Sequence, residues 1–243
     1  MALEIILNED AAGVAEAAAK ALVDRLGKLL AAKDLVHIVV TGGTVGILTL
    51  AKLGELDPSQ VDWSQIHVWW GDERFVDSQS PDRNAVQAAS AWLSGSNVPK
   101  LNIHEFPSSD LGLSLDEAAL LFDETLGQFA EAGNRHPEFD IHLLGMGPDG
   151  HVASLFPGKP EIHSGVLTVA EHDSPKSPPL RLSMSYDLIN SSSEVWITVA
   201  GADKADAVGV AFSEKKDSLP IGRIAGAAKT VWFIDAAASQ KIG

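Results

Sequence analysis

Short runs rich in Val, Ile and Trp alternate along the chain with longer stretches of helical period. That alternation predicts a parallel sheet covered by helices on both faces. The apolar runs place strands at residues 3–7, 36–41, 66–70, 139–144, 166–170, 180–185, 195–200 and 230–234. Asp10 stands where a cap is needed for an Ala-rich helix running to about Ala32, and Ser114 with Glu117 three residues on forms a capping box for a helix to about Ala132. Further helices are predicted at residues 45–53, 83–93 and 204–212. Residues 174–179 are rich in proline, which removes ladder donors and fixes the backbone, so they read as an exposed loop. No internal repeat or low-complexity tract interrupts the pattern. The reading is one α/β domain over residues 1–243, doubly wound with a mainly parallel sheet. In such sheets ligands bind beyond the carboxyl ends of the strands, so chemistry is sought just after strands.

Composition narrows the partners. The chain has 18 Lys and Arg against 33 Asp and Glu, a formal net charge of −15. Such a field repels a phosphate backbone, so no nucleic-acid partner is expected. An anionic substrate must instead be captured by a few local cations or backbone N–H groups. With 0 Cys, disulfides, thiolate metal sites and a cysteine nucleophile are all excluded. The first ten residues have no basic segment leading into an apolar one, and no apolar run reaches the ~18 residues of a membrane span. A cytoplasmic protein with no membrane partner is expected, either a monomer or a weak homo-oligomer.

Three segments fall where the chemistry is sought. Thr41-Gly42-Gly43-Thr44 joins a buried strand to a helix, where helix-start N–H groups and a threonine hydroxyl can hold phosphate oxygens. An ordinary strand-to-helix turn would use the same residues, and the segment is neither G-x-G-x-x-G nor a Walker loop with its lysine. Gly71-Asp72-Glu73-Arg74-Phe75 follows Ile66-His67-Val68-Trp69-Trp70 and puts two carboxylates and a guanidinium at the ligand edge. A solvated turn with a local Arg–acid pair is the plainer alternative. The third segment, Gly145-Met146-Gly147-Pro148-Asp149-Gly150-His151-Val152-Ala153-Ser154-Leu155-Phe156-Pro157-Gly158, is the strongest. Its glycine-rich turn leaves Asp149 and His151 on either side of a small residue. A histidine titrating near neutrality can take a proton from water, while a nearby carboxylate fixes its tautomer and supports its cation.

Together, the Gly-Gly-Thr turn, the Trp-Gly-Asp-Glu-Arg block and the long third block resemble the 6-phosphogluconolactonase family, in order and spacing from about residue 30 to the C-terminus. The resemblance implies a fold shared with glucosamine-6-phosphate deaminases and ribose-5-phosphate isomerases. It also implies metal-free and cofactor-free hydrolysis of a phosphorylated sugar lactone, 6-phosphoglucono-δ-lactone, in the pentose phosphate route. Residue by residue, His151 matches the family's general base, Asp149 the acid beside it, and Arg74 the arginine at the site edge. Gly43 and Thr44 match the phosphate-facing turn, with Arg181 and Lys204 as two further cations. Asp72 and Glu73 are additional candidates.

The remaining histidines, His37, His67, His104, His136, His142, His163 and His172, make no H-E-x-x-H or similar spacing, so no metal site is expected. No G-x-S-x-G elbow occurs. An aminosugar phosphate deaminase-isomerase is the alternative on this fold, but its turn carries a glutamate where this chain has Phe156. A non-catalytic sugar-phosphate sensor would need an appended basic DNA-binding segment, for which this acidic chain shows no candidate.

Overall fold

The computed structural model describes residues 2–160 and 162–242. Its centre is a seven-stranded sheet in the order β1-β10-β9-β6-β2-β3-β5. The strands are β1 (Ala2–Asn8), β2 (Val36–Val40), β3 (Ile66–Trp70), β5 (Ile103–His104), β6 (Ile141–Gly145), β9 (Glu194–Val199) and β10 (Lys229–Asp235), and every neighbouring pair is parallel. All five residues of β2 and all six of β9 are buried, as expected for strands covered on both faces.

Helices α1 (Ala11–Leu30), α2 (Gly43–Glu55), α3 (Asn84–Ala91) and α4 (Leu115–Gln128) cover the sheet, followed by the short α5 (Tyr186–Asn190) and α6 (Ala205–Ala211). The Asp10 carboxylate caps α1 by accepting from the Gly13 N–H at 2.9 Å. Val14, Ala18, Leu22 and Leu26, spaced four apart, lie along its buried stripe. At the head of α4 both arms of the expected capping box are formed, Ser114 with Glu117. Phe122 of α4 meets Trp69 of β3 edge-on, with ring centroids 6.2 Å apart.

Two expected strands, at 166–170 and 180–185, lie outside the parallel sheet. They are β7 (Thr168–Glu171) and β8 (Arg181–Met184), which join β4 (Asp72–Arg74) in an antiparallel sheet of their own, order β4-β8-β7. This small sheet is tied to the large one where the Met184 N–H donates to Gly71 O at 2.8 Å, just past the end of β3.

Strand order reverses between β2 and β6: from β2 the chain builds outward through β3 and β5, then returns to place β6 on the other side. Only two residue pairs join these strands, Ile38 with Ile141 and Val39 with His142. The ladder therefore stops short of their carboxyl ends, and the segments after β2 and β6 flank a crevice at the topological switch point.

Candidate active site

Beyond β2, Gly42 and Gly43 turn the chain into α2. A side chain at Gly42 would lie 1.9 Å from Asn84 Oδ1, and Gly43 has a φ of +76°, in the left-handed region. No side chain caps α2, so the N–H groups of its first turn, beside the exposed Thr44, face the crevice available to an anion.

Beyond β6, the loop folds back on itself as Val152 bridges to both Met146 and Leu155. This return brings His151 Nδ1 to 2.5 Å from Asp149 Oδ1. A side chain at Gly147 would lie 1.9 Å from His151 Cε1, so only glycine leaves room for the imidazole. Ala153 has a φ of 47°, a left-handed conformation costly for a residue with a Cβ, which makes the tight return of this loop a strained one. Phe156 packs its ring against His151 at 4.8 Å.

Burial lowers the His151 pKa below its ordinary value, while the hydrogen bond and charge of Asp149 pull the other way. Burial would raise Asp149, but the hydrogen bond and charge of His151 hold it below the ordinary carboxylate value. The imidazole is thus neutral near pH 7, with Nδ1–H donating to Asp149 and the Nε2 lone pair left to act as a base.

The second sequence block forms β4, where successive side chains point to opposite sides. Asp72 and Arg74 line the cavity, and Glu73 between them points away. The Glu73 carboxylate accepts the N–H groups of Arg74, Asn84 and Ala85 at 2.8, 2.7 and 2.9 Å and lies 3.8 Å from Arg83. Burial pushes its pKa up to about 7 against the pull of Arg83 and those donors. Glu73 anchors the turn, which corrects the expectation that it stands at the ligand edge. Asp72 accepts from Ser154 Oγ at 2.7 Å, and Asn84 Nδ2 donates to Asp72 O at 2.8 Å, so Asp72 locks the His151 loop to α3.

The small antiparallel sheet sets Arg74 opposite Arg181 in register. Arg74 Nη1 donates to Asp82 O at 2.6 Å, while its buried Nε has no partner. Arg181 Nε donates to Pro178 O at 3.0 Å, and its Nη2 to Lys176 O and Ser177 O, both at 3.2 Å. Lys204, at the cap of α6, donates to Asp203 Oδ2 at 2.8 Å.

Gly43, Thr44, Asp72 and Arg74 share one cavity of ≈ 560 Å³ with His151, Arg181 and Lys204. Asp149 stands behind His151, off the cavity wall. A smaller cavity of ≈ 270 Å³ is lined by the 154–156 segment that follows His151 and in part by the Lys159–Glu171 ion pair.

Lys176 also lines the large cavity, although its loop reads from the sequence as exposed. Its half-buried side chain brings Nζ to 3.4 Å from His151 Nδ1. The available signal was a lone lysine held among three prolines, Pro175, Pro178 and Pro179, just ahead of Arg181. Among the described residues, no group of three or more His, Cys, Asp or Glu is placed to hold a metal ion, and no helix is long and apolar enough to cross a membrane.

Residues 9–232 match the family described as glucosamine-6-phosphate isomerases/6-phosphogluconolactonase. The chain is 39% identical over 246 residues to 6-phosphogluconolactonase of Mycobacterium tuberculosis, covering 100% of this chain and 99% of the relative. It is 37% identical to 6-phosphogluconolactonase of Streptomyces coelicolor, covering 98% and 94% of the two chains. The crystal structure of 6-phosphogluconolactonase from Thermotoga maritima superposes with a TM-score of 0.82 at 27% identity, covering 96% of this chain and 99% of that one. On the strength of a match that spans nearly its whole length, this chain belongs to the glucosamine-6-phosphate isomerase/6-phosphogluconolactonase family.

Proposed function

We propose that the chain hydrolyses 6-phospho-D-glucono-1,5-lactone to 6-phospho-D-gluconate, in the cytoplasm and without a metal ion or cofactor, as a monomer or weak homo-oligomer. The observation that carries this reading is His151, backed by Asp149, on the wall of a cavity whose other walls supply cations and a free helix N-terminus. The full-length relatives named for this activity support the same substrate.

A δ-lactone is an activated ester, so an oriented water and stabilisation of the tetrahedral oxyanion suffice. His151 Nε2 takes a proton from water as the water oxygen bonds to the lactone carbonyl carbon. Asp149 supports the imidazolium that results. The bond from that carbon to the ring oxygen then breaks, and the imidazolium returns its proton to the departing ring oxygen. Arg74, on the cavity wall, faces the charge that develops on the carbonyl oxygen. Thr44, the first turn of α2, Arg181 and Lys204 hold the 6-phosphate.

The deaminase-isomerase reading loses ground at Phe156, whose ring occupies the flank of His151 where that chemistry needs a carboxylate. The test is hydrolysis of freshly generated 6-phosphoglucono-δ-lactone by the purified chain, with the spontaneous rate subtracted. Turnover well above background and unchanged by EDTA is expected. Turnover no faster than background would overturn the activity, and loss in EDTA restored by zinc or magnesium would overturn the metal-free step.

A further inference from the structure

We propose that Lys176 is a catalytic residue at the reacting end of the substrate, where its ammonium group meets the oxyanion formed beside His151. This rests on the lactonase reading given above and adds to it a cation that the family resemblance did not point to.

The cations of the cavity differ in what already holds them. Lys204 is bonded to Asp203, Arg181 to three loop carbonyls and Arg74 to Asp82 O. Among the described residues, the carboxylate oxygen within salt-bridge range of Lys176 Nζ is Asp149 Oδ1, at 3.9 Å, which is beyond hydrogen-bond distance.

The 3.4 Å approach of Nζ to His151 Nδ1 is not a second hydrogen bond. Nδ1 spends its proton on Asp149 at 2.5 Å and has no lone pair left to accept one. The ammonium donors of Lys176 therefore remain free for a ligand.

Its position is built. Arg181 grips the carbonyls of Lys176, Ser177 and Pro178, and the Lys176 N–H donates to Ser174 Oγ at 3.2 Å. A strand residue thus straps the loop that carries the lysine.

A cation here works against the free enzyme, because it opposes protonation of the base next to it. His151 faces Asp149 and, farther off, Asp72, both of which favour its cation, whereas Lys176 disfavours it. Lys176 in turn faces Asp149, Lys204 and Arg181, and burial with those two cations lowers its own pKa against the pull of Asp149. An arriving negative charge reverses the balance. As the carbonyl oxygen becomes an oxyanion, Lys176 gains an opposite charge at close range in a partly dry site.

The experiment compares wild type, Lys176→Met and Lys176→Arg on phosphorylated and unphosphorylated gluconolactone, over pH, after subtracting spontaneous hydrolysis. Wild-type turnover tests the lactonase reading; the variants, measured against it, test this inference alone. Lys176→Met is expected to lower kcat by roughly 10- to 1,000-fold on both lactones with little change in KM. The acid limb of kcat/KM should move to higher pH, because removing a cation raises the His151 pKa, and Lys176→Arg should restore most of kcat.

A KM rise confined to the phosphorylated lactone would assign Lys176 to the phosphate and overturn the proposal. So would unchanged kcat, or a loss that arginine does not rescue and that leaves the acid limb in place. Should Lys176→Met not fold, Lys176→Gln carries the same comparison.

Discussion

The histidines of the central strands and the histidine of the loop after β6 differ in what stands against the ring. His37, His67 and His104 lie side by side on β2, β3 and β5, with His67 Nδ1 2.9 Å from His104 Nε2 and the Trp69 indole N–H donating to His37 Nδ1 at 3.1 Å. Trp69 stacks on His104 at 3.9 Å, and Phe129 closes over them at 4.3 Å from His104. Burial drives His37 down to about 3 and His104 down to about 4, with neighbouring positive charge adding to the effect. His151 is only partly buried, and its loop carries it past the carboxyl end of the sheet to a carboxylate and open space. Burial alone makes a histidine inert. Adding Asp149 to one face and a cavity to another makes a group placed to take up and return a proton.

The sharpest break in that comparison is His151→Ala. A general base contributes about 10²–10⁴-fold, and kcat is expected to fall by that much with the thermal unfolding midpoint nearly unchanged. Asp149→Asn should reduce turnover less, since the imidazole remains. In the wild type the rate should fall as pH drops through the His151 pKa, which lies below the ordinary histidine value. A folded His151→Ala enzyme with near wild-type kcat at neutral pH would assign water activation to another group.

A smaller effect is expected at the phosphate end. Charge-assisted contacts to phosphate are worth ~1.5–3 kcal/mol, so Lys204→Ala or Arg181→Ala should lower kcat/KM by roughly 10- to 150-fold. Lys204→Ala should act through KM and spare unphosphorylated gluconolactone. Arg181→Ala should also lower kcat, because Arg181 holds the Lys176 loop. Equal losses on both lactones for Lys204→Ala would remove that residue from the phosphate site.

Legibility in the sequence followed the physics of each segment. The run Val-His-Ile-Val-Val is a strand buried on both faces and could be little else, and the Ser114–Glu117 capping box sets a helix start through local hydrogen bonds alone. β4 is three polar residues and β5 only two residues long, Ile103 and His104, and neither carries a pattern of its own; they are strands because β8 and β3 offer them edges. Asp149 and His151 could be read because they meet within one turn. Lys176 could not, because it reaches them from 25 residues away through a loop shaped by Arg181. Glu73 was misplaced for a local reason, since neighbours on a strand face opposite ways and the cavity receives only Asp72 and Arg74.

The mildest effect belongs to the buried histidines, and it concerns stability instead of rate. His37, His104 and the fully buried His142 have folded pKa values of about 3, 4 and 3, against an ordinary value of 6.5. Below pH 6.5 the unfolded chain binds protons that the folded chain refuses. The stability these groups contribute is therefore complete above pH 6.5 and is lost as pH falls toward 3–4. At pH 5 each such group should cost about 2 kcal/mol relative to neutral pH. His104→Gln removes one of these titrations and keeps a polar group near the Nε2 position that meets His67. Urea unfolding is expected to show a smaller loss between pH 7 and pH 5 for this variant than for wild type, by about 2 kcal/mol. Its kcat/KM should be unchanged, because His104 lies outside the cavity that holds His151. If the variant and the wild type lose the same stability over that interval, the cluster is not what makes the fold sensitive to acid, and the contrast between the two histidine settings holds for catalysis only.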